Sequence, residues 1–198
     1  MSKPAPAEPV KLAVSIFYAN DHLLKEVLEG LSCEYGDVDF ISQGMPFNYT
    51  QYYAKEMGSS LNRRFVFFET PVRPESLPDV KLFTNRMEDS FSIEDETGRE
   101  RTPFRGKDGK PIAVDFQSRR RQVNIDPGYI SKAHLILATG KGYTHRPYLR
   151  DGIYADVTLI YTEKSFHSLP WTYPDYAEKK VIELFNRIRA KYIEQTRL

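Results

Sequence analysis

The chain has 198 residues, 28 basic and 27 acidic side chains, a net charge of +1, and a hydrophobic share of 40% that includes thirteen tyrosines, twelve phenylalanines and one tryptophan. That share is enough to build a core and too much for a disordered chain, and the neutral balance provides no overall field for nucleic acid or a membrane surface. The single cysteine, Cys33, excludes an intramolecular disulfide framework and a cysteine-rich zinc site, and no apolar run reaches the ~20 residues of a membrane-spanning helix.

Residues 1–9 hold three prolines and nothing to bury, so they read as a frayed tail, and 10–198 read as one α+β domain. The opening residues lack the apolar stretch of a secretory leader, so a cytoplasmic location is expected. Leu12, Val14, Ile16 and Tyr18 alternate with Ala13, Ser15 and Phe17, a strand apolar on both faces and therefore central in its sheet. Asn20 and Asp21 can cap a helix whose apolar stripe is Leu23, Leu24, Val27, Leu28 and Leu31, closed by Gly36. Val38, Phe40 and Ile41 give a second strand. A short helix is expected from Thr50 to Gly58, carrying Tyr52, Tyr53 and Glu56. Arg63 and Arg64 precede a third strand, Phe65 to Glu69. After Pro71, Pro74 and Pro78, a second major helix follows on Val80, Leu82, Phe83, Met87 and Phe91, with Thr84 and Asn85 weakening its middle.

Residues 94–121 change character. Charged residues crowd around Gly98, Gly106 and Gly109, which reads as a mobile charged excursion, a β-hairpin with Lys107-Asp108-Gly109-Lys110 at its tip. Arg119, Arg120 and Arg121 end it; a solvated edge is the ordinary reading of such a run and a phosphate contact the lesser one. Val123 to Asp126 reads as a strand end stopped by a turn at Pro127-Gly128. Ser131 can cap a short helix through Leu135, Ile136 and Leu137, with Gly140 at its end; a strand remains open because the apolar run is short. A hairpin spans His145 to Tyr161 around Arg150-Asp151-Gly152. A last helix begins near Pro174 and Asp175, with Val181, Phe185, Ile188 and Tyr192 inward. The order fits an α+β fold: an antiparallel or mixed sheet with helices mainly on one face. The ferredoxin-like split βαβ unit would be extended by the C-terminal hairpin and helix.

Several chemistries fail on spacing. A glycine is missing five residues before Gly140, where Leu135 stands, and Gly142 occupies the Ser/Thr position after Lys141, so Gly140-Lys141 is not a phosphate loop. No Gly-x-Gly-x-x-Gly follows the first strand, and no Gly-x-Ser-x-Gly elbow exists. His22, His134, His145 and His167 form no His-Glu-x-x-His pair, and Pro147 and Leu169 stand where paired His-x-Ser/Thr motifs need a hydroxyl. An oxygen-ligated cation site drawn from distant carboxylates is the one metal chemistry left open.

The hairpin is the most informative stretch. Ile153, Ala155, Val157, Leu159 and Tyr161 should share one face, and Tyr154, Asp156 and Thr158 the other. A three-residue loop with Gly152 left-handed sets Arg146 opposite Asp156 and Tyr148 opposite Tyr154, which keeps the charges together. An ordinary surface pair is one reading. The functional one is a polar-aromatic pocket in which Arg146 and Lys141 meet an anion, Tyr154 and Trp171 wall it, and Asp126 and Asp156 orient the ligand. Asn124 and Asp126 beside the expected turn, and the stiff Pro170-Trp171-Thr172-Tyr173-Pro174-Asp175-Tyr176 segment leading to a helix N-terminus, would complete it. His145 is of the residue type that can carry protons, although a lone histidine is more often structural. Asn124, Asp126, Lys141, Arg146, Tyr154, Asp156, Trp171 and Tyr173 are thus the expected ligand-binding set, for a small anionic ligand such as a nucleotide or phosphorylated metabolite. A protein-docking module is the alternative. No cofactor, reaction or oligomeric state is named by these residues.

Val123-Asn124-Ile125-Asp126-Pro127-Gly128-Tyr129, His145-Arg146-Pro147-Tyr148-Leu149, Gly152 through Leu159 and Pro170 through Tyr176 resemble the prokaryotic domain of unknown function 4416. Phe47-Asn48-Tyr49-Thr50, Glu56-Met57-Gly58, Arg63-Arg64-Phe65 and Phe83-Thr84-Asn85 fit the same pattern, over roughly Val10 to Tyr192. The resemblance implies a cytoplasmic single-domain protein of a bacterium or archaeon, and transfers no catalytic residue. The charged excursion is longer than it implies and reads as a local embellishment.

Overall fold

The structure is a computed structural model that describes residues 3–47, 57, 61–94 and 119–197. Strand β1 (Lys11–Tyr18) is buried along its whole length. Asn20 caps α1 (Asp21–Tyr35), accepting the Leu23 N–H at 3.0 Å, and Gly36 ends the helix at a φ of 85°, which glycine adopts without strain. Next come β2 (Val38–Ile41), β3 (Met45–Pro46), β4 (Asn62–Phe68) and α2 (Leu77–Ser90). Apart from the buried Met57, the helix expected over Thr50–Gly58 lies outside the described residues. Arg63 and Arg64 lie within β4 rather than before it, so strand alternation sends them to opposite faces. Strands β5 (Ile93–Glu94) and β6 (Arg119–Arg120) pair antiparallel at the base of the charged excursion. The excursion itself, with the expected tip at Lys107–Lys110, lies outside the described residues.

The remaining elements are β7 (Val123–Ile130), β8 (His134–Thr139), β9 (Tyr148–Arg150), β10 (Ile153–Thr162), β11 (Ser165–Ser168) and α3 (Lys179–Gln195). Two expectations change here. Pro127-Gly128 is no turn: β7 runs straight through it, paired with β1 from Val123 to Ile130. Gly128 serves a close approach instead, since a Cβ there would stand 2.4 Å from the Ile136 carbonyl oxygen. And the segment after Ser131 is the strand β8, not a helix. Ser131 Oγ accepts the N–H groups of Ala133 and His134, closing a tight turn between β7 and β8.

One antiparallel sheet of nine strands carries the fold, in the order β11-β10-β8-β7-β1-β4-β2, with β3 on β4 and β9 on β10. This is an α+β architecture. Strand β4 lies between β1 and β2, and β1 lies between β4 and β7. Two of the three described helices share a face: α1 and α2 cover Leu12, Val14, Ile16, Val66 and Phe68. Helix α3 covers part of the other, where Leu184, Phe185 and Ile188 pack on Phe65, Phe67, Leu135 and Leu159. Its C-terminal end is tied down by a buried network in which Lys11 pairs with Asp39 and donates to Gln195 at 2.8 Å, while Lys191 stands 3.1 Å from Asp39.

The hairpin also departs from simple alternation. Asp151 and Gly152 both have positive φ (53° and 77°), so the turn is a two-residue one; the ladder then slips, and Tyr148 still faces Tyr154. A second slip against β8 falls between Val157 and Leu159. Ile153 therefore packs on the α2 side, with Leu77 and Ala138, and Leu159 on the α3 side. The expected single face of Ile153 to Tyr161 does not exist, because one bulge residue reverses the pattern beyond it.

Candidate functional site

Strands β7 and β8 pair only where Gly128–Ile130 meets Leu135–Leu137. Past that point they part, and the chemistry of β7 gives the reason. The N–H and C=O of Ile125 point away from β1, because both are taken by α2: Glu88 Oε1 accepts the N–H at 2.7 Å and Lys81 Nζ donates to the C=O at 2.9 Å. Two residues on, Pro127 points its nitrogen the same way and has no N–H to give, so the ladder to β8 cannot continue. The parting opens a cleft of about 700 Å³.

Its floor is α2 with the start of β7. Lys81 stands 3.3 Å from Asp126 Oδ1 and 3.8 Å from Glu88 Oε1; Arg121 reaches Glu88 at 3.4 Å and Asn124 at 3.3 Å; Asn124 Nδ2 donates to Asp126 at 2.7 Å. Burial pushes the Glu88 carboxyl above its usual range, against the opposing pull of Lys81. Opposite lie Thr139, Gly140, Lys141 and the buried Asp156. Arg146 staples this wall: Nε donates to Asp156 at 2.8 Å, Nη1 to the Lys141 carbonyl at 3.1 Å and Nη2 to Tyr173 Oη at 2.8 Å.

Tyr173, Pro174, Asp175 and Tyr176 roof the cleft. Helix α3 starts only at Lys179, later than expected, so its N-terminus is not the group that closes over the site. The roof is held by side chains instead. Trp171 donates to the Val157 carbonyl at 2.8 Å and stacks on His145 at 4.8 Å; Thr172 donates to the Thr158 carbonyl at 2.6 Å; Asp175 pairs with Arg63. Burial raises the hydroxyl pKa of Tyr173, with the Arg146 charge opposing it.

Of the expected ligand-binding set, Asn124, Asp126, Lys141, Asp156 and Tyr173 line this cleft together. Arg146, Trp171 and Tyr154 do not line it: Arg146 sits behind the wall, Trp171 is stacked on His145, and Tyr154 lies between Tyr148 and Gly142. Lys81, Asn85 and Glu88 were not anticipated. Their signal is present in the sequence: they recur at helical spacing and so share one face of α2. Arg63 and Arg64 are placed on β4, while Tyr52, Tyr53 and Glu56 of the expected short helix lie outside the described residues. Among the described residues, no three His, Cys, Asp or Glu side chains are grouped to hold a metal ion, and no helix is long and apolar enough to cross a membrane.

No curated protein and no solved structure was found to match the chain. One family model covers it over residues 8–101 and 111–192, with the gap inside the charged excursion. The fold just described is therefore that of a member of the family named Domain of unknown function (DUF4416).

Proposed function

We propose that the cleft between β7 and β8 binds a small anionic ligand, a nucleotide or a phosphorylated metabolite. What supports the reading is a space of about 700 Å³, of small-molecule size, into which buried polar groups of α2, β7 and β10 converge beneath Lys141. Lys141 and Arg121 take the anion. Asn124, Asp126 and Asp156 orient the ligand, and Tyr173 and Tyr176 wall it. Arg146 is a positioning residue, since its three nitrogens already hold Asp156, Lys141 and Tyr173 in place. Trp171 steadies the roof.

Calorimetry with inorganic pyrophosphate, ribose 5-phosphate and nucleoside 5′-monophosphates tests this. At least one should bind, and Lys141→Met should weaken it about tenfold or more, the worth of a charge-assisted hydrogen bond. If none of these anions binds, or Lys141→Met leaves binding unchanged, the reading is wrong. A second reading, docking of a protein partner, is favoured by the exposed rings of Tyr143, Tyr148 and Trp171. It predicts that Tyr143→Ser and Trp171→Ser change partner binding, while the phosphate compounds have no effect on the protein.

A further inference from the structure

A second hollow, of about 350 Å³, lies where the end of α3 meets the turn between β7 and β8. Arg189 and Ile193 of α3, Thr196 and Arg197 just beyond its end, and Lys132 of the turn line it, and none of them lines the cleft. The four α3-side residues recur at helical spacing and so share one face. Arg189 is fixed in place: its guanidinium carbon stands 3.4 Å from the centre of the Tyr161 ring, and its Nε donates to the Lys132 carbonyl at 2.8 Å. Those contacts use the flat face and one donor. Among the described residues, Nη1 and Nη2 meet no acceptor, and neither Arg189 nor Arg197 has a carboxylate partner. Lys191, on another face of the same helix, is by contrast paired with Asp39. Lys132 does meet a carboxylate, that of Glu8, at 2.6 and 2.8 Å from its two oxygens. Tyr192 Oη donates to the Pro9 carbonyl at 2.7 Å and holds the tail beside it.

We propose that this hollow binds a compact, multiply charged oxyanion, phosphate or pyrophosphate, which takes Lys132 from Glu8. Three cations drawn into one hollow repel each other, and the single Glu8 carboxylate offsets one of them. An anion of one charge would bring no more than Glu8 already does; a dianion restores the balance. The open edge of an arginine fork presents donors side by side, a match for the oxygens of a tetrahedral oxyanion. The stack on Tyr161 sets the plane of that fork beforehand, so less ordering remains when the anion arrives. The site is independent of the cleft, because the two share no residue.

The test titrates the ¹⁵N-labelled chain with sodium phosphate and with pyrophosphate, against sodium chloride at matched ionic strength, and follows backbone amide signals. Those of Lys132, Thr196 and Arg197 should shift along a saturating curve with at least one phosphate compound and not with chloride. Arg189→Lys keeps the charge and loses the fork, and should weaken binding about threefold or more. Arg197→Ser should do the same; its side chain is exposed and makes no bond among the described residues, so it serves if Arg189→Lys does not fold. Glu8→Gln removes the competing carboxylate and should tighten binding. No saturating shift at these amides, or one that neither arginine variant weakens, overturns the site. Unchanged affinity in Glu8→Gln overturns the exchange with the tail. Lys141→Met should leave these shifts in place, and their loss in that variant would overturn the independence of the hollow. Anion binding in the cleft is followed separately, at the Gly140 and Lys141 amides, so either site can fail without the other.

Discussion

Glu88 accepts the backbone N–H of Ile125 at 2.7 Å, so a helix side chain stands where a neighbouring strand's carbonyl would be. With Lys81 on the Ile125 carbonyl, α2 satisfies a strand edge that the parting of β7 and β8 would otherwise leave bare. Glu88→Ala should cost about 1–3 kcal/mol in urea unfolding, because it orphans a buried N–H, while Glu88→Gln keeps an acceptor and should cost less. The carboxyl pKa is raised in the fold, chiefly by burial. Its contribution is therefore full below the ordinary glutamate value of 4.5 and is lost as pH rises through the higher folded value. Stability measured against pH should fall less steeply over that window in Glu88→Gln than in the wild type; an identical slope would show that Glu88 is not raised.

Gly128→Ala should destabilise by about 1–3 kcal/mol or more, since the new methyl meets the Ile136 carbonyl oxygen at 2.4 Å and Leu137 Cδ2 at 2.7 Å. Gly140→Ala is the control. Nothing lies within 4 Å of a Cβ there, so its unfolding midpoint should stay near wild type. Equal midpoints for the two variants would mean that β7 and β8 are not this close.

Arg146 and Asp156 have side chains 11% and 4% exposed, so their pair is not of the surface kind worth about 0–1 kcal/mol. Arg146→Ala should cost about 3 kcal/mol, as it leaves the buried Asp156 without its guanidinium partner, His145 standing 3.8 Å away. Arg146→Ala with Asp156→Asn should recover part of that loss, and a double-mutant cycle measures the coupling. A loss below 1 kcal/mol would return the pair to an ordinary surface role.

Asp39 gives an acid-side signature. Burial alone would raise its pKa, but the bonds from Lys11 and Lys191 outweigh it and hold the carboxyl below its usual 3.8. A depressed carboxyl stabilises the fold above 3.8, and that contribution is lost as pH falls through the lower folded value. Asp39→Asn should lose about 3 kcal/mol at neutral pH and flatten the acid limb of the stability profile. Asp39→Leu combined with Lys11→Met should restore part of the loss, because no buried charge is then left alone. A profile unchanged by Asp39→Asn would contradict the clamp.

What could be read from the sequence was local. The alternation of β1, the Asn20 cap and the stripe of α1 needed no neighbour; the Arg146–Asp156 pair was legible too, although the three-residue loop expected there is a two-residue turn whose slip restores the same register. Pro127-Gly128 was misread because a proline breaks a strand only if its nitrogen faces a partner. Here it faces a gap, which becomes visible once β8 is in place. The bulge at Thr158 leaves no local mark, since threonine suits either face. Lys81 and Glu88 share a helix face in the sequence, but the unpaired edge of β7 that draws them inward comes from more than thirty residues away. Arg63 was visible as a basic residue, but the rings of Phe17, Phe65 and Tyr176 around it come from three separate segments.

The central place of β1 bears on how the chain is made. One edge of β1 is covered by β4, but the other waits for β7, more than a hundred residues later. During synthesis an N-terminal fragment ending before Val123 would present a long, apolar, ready-to-pair ribbon to other nascent chains. Chaperone demand on the ribosome should therefore persist until β7 emerges, and fragments truncated ahead of it should collect as insoluble material.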